Sequence, residues 1–184
     1  MFYLLKYTGL LSIPLFLIIA FSLIAQAPGY SYRQHSISKT ILFLEHTKYK
    51  FLFRLNFIFK AIIDMCFLGY LVQVLHLSYL SPIVWIFVLG SLLFGSLAFI
   101  LVSNMELLHV IVIYTAIVLW ALFEVLVAGV VGVSWFTVFT WLVACISTAI
   151  AFWFLYIRNI TVVVQVICTV MVYSWLIVFV TKFL

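Results

Sequence analysis

Apolar residues run almost without interruption for roughly 20 positions at a time, six times in succession, and the polar residues collect in the gaps between these runs. A helix must carry about 20 apolar residues to cross the hydrocarbon core of a bilayer. The pattern therefore predicts membrane spans at about 4–25, 51–76, 81–102, 106–130, 135–157 and 160–183. The expected fold class is all-α, a polytopic transmembrane bundle of six spans forming one integral-membrane domain over residues 1–184.

Turn chemistry separates the runs. Pro28-Gly29 breaks the first, Pro82 suits the first turn of the third, Ser103-Asn104 is a tight link, and Gly129, Gly132 and Ser134 mark the turn before the fifth. Residues 27–50 form the one long loop. Within it Ile37, Ile41 and Leu44 recur on one helical face behind Ser36 or Ser38, with Lys39, Lys48 and Lys50 around them. That spacing predicts a short amphipathic helix at the membrane interface. Ala25-Gln26-Ala27 imitates a signal-peptide cleavage site, but Pro28 directly after it disfavours cutting, so the first span is expected to be retained. Ser91 with Gly95, and Ala144 with Thr148, are small residues four apart that permit close helix contact, and Trp135, Trp141, Trp153 and Tyr156 suit interfacial anchoring.

Composition narrows the partners. The chain is 69% hydrophobic and 7% charged with a mean hydropathy of +1.42, against roughly 25% charged residues in a soluble domain. A solvated surface cannot be built from it, and the expected location is the cell membrane. The net charge of +5 sits mostly between Arg33 and Lys60. Flanking a span, such a run attracts anionic lipid headgroups, at about 1 kcal/mol per basic residue. No aromatic-basic groove or nucleic-acid module accompanies it. The expected partners are the bilayer and its anionic headgroups, with a protein partner or self-association also open. Cys66, Cys145 and Cys168 lie in apolar runs as small buried hydrophobes, without metal-type spacing, and neither metal nor cofactor is expected.

Two orientation signals oppose each other. Arg33, Lys39, Lys48, Lys50, Arg54 and Arg158 share one side, against Lys6 and Lys182 on the other, which places both termini outside. Lys6 ahead of a signal-anchor-like first span favours an N-terminus in the cytoplasm.

Ionisable groups at membrane depth are costly and are functional candidates by default. In the second span Asn56, Lys60 and Asp64 follow at i, i+4 and i+8, a stripe in which Lys60 and Asp64 can neutralise each other. In the fourth, Glu106 and His109 lie one turn apart, as an acid–base couple or as a bond fixing the helix start. Glu124 stands about five turns beyond Glu106 on the same face, about 27 Å away. Counting height from the loop-one side puts Tyr114 level with Lys60, and Glu124 level with Gln73, about 10 Å beyond Asp64.

Pro28-Gly29-Tyr30-Ser31 followed by His35-Ser36-Ile37-Ser38 resembles the first-loop signature of a large prokaryotic group of six-span proteins, the domain-of-unknown-function family 998. Arg54-Leu55-Asn56-Phe57 looks like its next recurrent element and His109 like its later histidine. The family pattern continues into a short glycine-containing stretch, where this chain has the basic, glycine-free Lys39–Lys50. The resemblance implies the six-span architecture and points to Tyr30, Ser31, Ser36, Ser38, Arg54, Asn56 and His109. It implies no reaction.

Those residues, with His35, share the loop-one side. Three serine hydroxyls, the Arg54 fork, an amide and a titratable ring could close a polar pocket around a phosphate-bearing lipid head. The same groups could instead dock the loop on the bundle. An intramembrane lipid-modifying enzyme using His109 and Glu106 is the competing reading, and no HExxH, paired-histidine motif or P-loop supports it. A small-solute or proton transporter is the third. Lys182 at the far end of the last span disfavours a pigment, and His76 and His109 at opposite ends of their spans disfavour a shared haem.

Overall fold

A computed structural model describes residues 2–100, 105–157 and 161–184. The helices are α1 (Lys6–Ile24), α2 (Thr40–Phe43), α3 (Thr47–Val74), α4 (Pro82–Ser96), α5 (Glu106–Val131), α6 (Ser134–Tyr156) and α7 (Val162–Phe183), with short 3-10 turns at Phe2–Leu5 and Ile37–Lys39. No strand occurs among the described residues. The links at Ser103-Asn104 and Arg158-Asn159 lie outside them.

Helices α1, α3, α5, α6 and α7 are long and apolar enough to cross a membrane. The third apolar run differs from its expected extent. Its helix α4 has 15 residues, about 22 Å by helical rise against about 30 Å of hydrocarbon. The physical reason lies at its end. The Leu97 and Ala98 amides bond back three residues, to Phe94 O at 3.2 Å and Gly95 O at 3.1 Å, while Ser96 Oγ donates to Leu93 O at 2.7 Å. This tightening ends the α-helix where the sequence stays apolar through Ile100. At its other end Ser81 caps α4 by accepting from the Ile83 amide, with Pro82 in the first turn.

The helices form a ring. α1 packs on α3, α3 on α4, α4 on α5, α5 on α6 and α6 on α7, and α7 returns to α1. α4 runs antiparallel to both neighbours: Gly95 approaches Ala61, Gly90 approaches Trp120, and the Phe87 and Phe123 rings meet at 4.6 Å. A Cβ at Gly90 would stand 2.8 Å from Trp120 Cδ1, so any other residue there must displace the indole. Of the pair expected to permit close contact, Gly95 meets Ala61, while the approach to α5 is at Gly90, which that spacing did not name. Cys66 and Cys145, expected to be buried, are instead exposed on the outside of α3 and α6.

Two apolar clusters fill the ring. One, at the loop-one end, contains Phe16, Ile24, Phe53, Phe57 and Val112. The other contains Phe67, Leu71, Phe123, Phe136, Trp175 and Phe179. Along α3, Lys60 and Asp64 fall between them, so a charged layer separates the two halves of the interior.

Candidate functional site

Loop one is strapped to the bundle. The turn at Ile37–Lys39 and α2 bury Ile37, Ile41 and Leu44 in the loop-end cluster, the face their spacing predicted, although the helix is only one turn long. Tyr30 Oη donates to Ser36 O at 2.8 Å, and the Ser31 amide donates to His35 Nδ1 at 3.0 Å. His35 also lies against the Phe43 ring, 4.4 Å between centroids. α7 holds the loop from the far side of the sequence: Gln165 Oε1 accepts from the Ile37 amide at 2.7 Å, and the Val162 amide donates to His35 O at 2.9 Å. Ser36 and Ser38 are buried beneath.

The sequence-predicted pocket is therefore not assembled. Arg54 is exposed on the outer face of α3. Asn56 turns inward and donates from Nδ2 to Phe16 O of α1 at 2.9 Å. His109 Nδ1 lies 2.6 Å from Ile100 O, and a carbonyl only accepts, so Nδ1 carries the hydrogen. Among the described residues no hydrogen bond joins Arg54, Asn56 or His109 to the loop serines. The loop is docked mainly through backbone groups, with the Tyr30 hydroxyl, the His35 ring and the Gln165 amide as the side-chain partners.

Nor is the acid–base couple formed. Glu106 is exposed and pairs with Lys39 at 3.9 Å, while His109 is buried. Glu106 and Glu124 lie about five turns apart on the one continuous helix α5, Glu106 exposed at its start and Glu124 interior.

Burial acts on Tyr30. Its hydroxyl is pushed up to about 12 from the ordinary 10, chiefly by desolvation. The folded state thus holds this proton more firmly than the unfolded chain. The resulting stability is complete below pH ~10 and is lost as pH climbs through the folded value. In an absorbance titration of tyrosinate, Tyr30→Phe should remove one tyrosine from the late-ionising set. An unchanged late phase would show that the hydroxyl is not buried in solution.

The spans bring a second constellation together. Lys60 Nζ meets Asp64 Oδ2 at 2.7 Å, and Ser12 of α1 donates to Asp64 Oδ1. The ammonium also lies 4.3 Å from the Trp120 ring centroid and 4.8 Å from that of Phe94. Four helices thus converge on one ion pair. Tyr114 does not reach it; its hydroxyl donates to Ala151 O of α6 at 2.9 Å. Glu124 is not placed with Gln73 either. Gln73 is exposed, and Glu124 lines the same cavity as Asp64 and Ser12. Equal starting heights misled the count, because α4, wedged between α3 and α5, sets their relative register, and the Glu124 side chain leans back toward the start of its helix.

Sequence reasoning missed Ser12, Phe94, Trp120 and Gln165. Ser12 carried a usable signal, as a polar residue in the middle of an apolar run. The two rings carried none, since aromatics are abundant throughout the chain.

On the outside, Ile19 of α1 and Leu52, Leu55, Asn56, Ile58, Phe59 and Ile62 of α3 line an open groove of about 290 Å³. Lys50 and Arg54 continue, at four-residue steps, the row that Ile58 and Ile62 form within it. Comparison with protein-family models, with curated proteins and with solved structures returns no match.

Proposed function

We propose that this chain is a multi-pass protein of the cell membrane that binds an anionic phospholipid on the loop-one side, with the headgroup at Lys50 and Arg54 and one acyl chain in the groove between α1 and α3. The observation that carries the reading is the alignment of two cations with an apolar channel along a single helical row. Arg54 offers a planar fork suited to phosphate. Long basic side chains at this level keep their stems on apolar surface while the charge reaches the headgroups.

The same reading takes α4 as the sixth crossing. A short helix can be accommodated by local thinning of the bilayer, and α4 runs antiparallel between two longer helices. The resemblance to the domain-of-unknown-function family 998 is part of this proposal and agrees with it in span number and in the position of Arg54.

The test is lipid mass spectrometry of protein reconstituted in mixed phosphatidylglycerol–phosphatidylcholine vesicles and gently re-extracted. Phosphatidylglycerol should be enriched on the wild type. At about 1 kcal/mol per charge, Lys50→Ala with Arg54→Ala should reduce that enrichment roughly thirtyfold, and Leu55→Trp, which fills the groove, should reduce retention of both lipids. Equal retention of the two lipids by the wild type would sink the proposal.

A further inference from the structure

The carboxyl group of Glu124 has no use in loop docking or in lipid binding. It is 1% exposed, and neither oxygen has a hydrogen-bond partner among the described residues. It lines a small, partly enclosed cavity of about 10 Å³ together with Ser12 and Asp64, walled by Gly9, Phe67, Phe87 and Trp175. Asp64 has its own cation in Lys60, and the remaining reach of that ammonium is taken by the Trp120 and Phe94 rings. The interior layer therefore holds one ammonium against two carboxyl groups. An isolated carboxylate in such surroundings is untenable without a counter-charge.

We infer that this cavity is a binding site for a single monovalent cation, held by Glu124 with the oxygens of Ser12 and Asp64 beside it. One further positive charge balances the layer, and a divalent ion would overshoot it. The space is on the order of one water molecule, which admits a proton, carried on the carboxyl or by a water, or a bare sodium ion, and excludes organic cations. Oxygen donors suit a hard ion. Gly9 lets the Phe67 ring of the wall pack directly on α1, because a Cβ there would stand 2.8 Å from that ring.

Among the described residues the titratable group that shares the cavity with Glu124 is Asp64, itself paired with Lys60 on α3, with Tyr70 of the same helix in the adjoining core. The other helices present Ser12, apolar side chains and indoles to the cavity. The inference does not depend on the lipid reading, and its test does not involve lipid selectivity.

Thermal unfolding of the full chain in nanodiscs decides it, for wild type, Glu124→Gln and Glu124→Met. It is measured in sodium chloride and in choline chloride at equal ionic strength, each across a range of pH. If the cation is sodium, wild type is stabilised in sodium chloride over choline chloride and neither variant is. If it is a proton, the two salts agree and wild type loses stability as pH rises, by up to tenfold in the folded-to-unfolded ratio per pH unit, while the variants are flatter by that amount. The isosteric and the apolar variant guard against a change that merely fails to fold. A wild type that matches either folded variant in both salts and across pH overturns the inference.

Discussion

Lys60→Met alone, or Asp64→Leu alone, should cost the fold about 3–5 kcal/mol, and the double replacement should recover most of that loss. The Lys60–Asp64 contact is buried and hydrogen-bonded, at 2.7 Å, and it sits within one helix. Removing one partner leaves a buried charge without its opposite-charge side chain. Lys60→Met leaves Asp64 the Ser12 hydroxyl alone, and Asp64→Leu leaves the ammonium only the Trp120 and Phe94 rings. Each ring contact contributes up to about 2 kcal/mol when desolvated, too little to replace a carboxylate. Removing both groups also removes the desolvation cost, which is why the pair is a weak source of stability and a strong source of penalty. Because both residues lie on α3, they stay together even when the helices separate within the bilayer. What folding adds is Ser12 from α1 and the rings from α4 and α5. Reversible unfolding in nanodiscs of the two single variants and the double one, read as a double-mutant cycle, checks this. A double variant as unstable as the sum of the singles would show that the layer is held by something other than mutual neutralisation.

The architecture was legible wherever it depends on apolar length and on turn residues. Runs of the required length became helices, Ser81-Pro82 opened α4, and Gly132 closed α5 with φ +69°. What stayed hidden was the early end of α4. Leu97-Ala98-Phe99-Ile100 is as apolar as the helix before it, so hydropathy cannot register a chain that tightens at Ser96 and offers Ile100 O to His109. The ring order was also beyond reach, because closure by α7 on α1 depends on pairings between residues far apart in the chain, such as Tyr173 Oη donating to Leu10 O at 2.9 Å.

The polar groups divide along the same line. Lys60 with Asp64 was readable, because a four-residue step on a helix forces proximity. The loop-one pocket was not, because composition names groups without saying which of them are already spoken for. Tyr30, Ser31, His35 and Ser36 bond within the loop, and Gln165 answers the Ile37 amide from α7. Arg54 is exposed on the outer face with no ion pair among the described residues, and so the lipid proposal moves from a pocket to a groove.

Trp175→Ala should be the costliest aromatic truncation in the chain, at about 3–5 kcal/mol. Trp175 is 2% exposed and packs against both Phe136, at 5.8 Å and 25°, and Phe179, at 5.1 Å and 21°, which also meet each other at 6.0 Å, with Phe123 edge-on at 6.4 Å. Its indole Nε1 donates to Thr140 Oγ1 at 2.7 Å. In a bilayer the loss is not one of water exclusion, since lipid tails are as apolar as the core. It is the loss of close contacts that tie α7 to α5 and α6. Trp175→Phe separates the two contributions, for it keeps much of the stack and gives up the hydrogen bond. An interhelical bond of this kind averages about 0.6 kcal/mol inside membranes, so Trp175→Phe should fall well short of Trp175→Ala, and adding Thr140→Val to it should cost little more. The tryptophan also walls the cavity beside Glu124, so Trp175→Ala enlarges that space and should admit water to it, read as faster hydrogen exchange along the middle of α5. A Trp175→Ala variant within about 1 kcal/mol of wild type would mean that lipid, or a collapse of the ring, refills the space at no cost, far outside the range that buried aromatic truncations set.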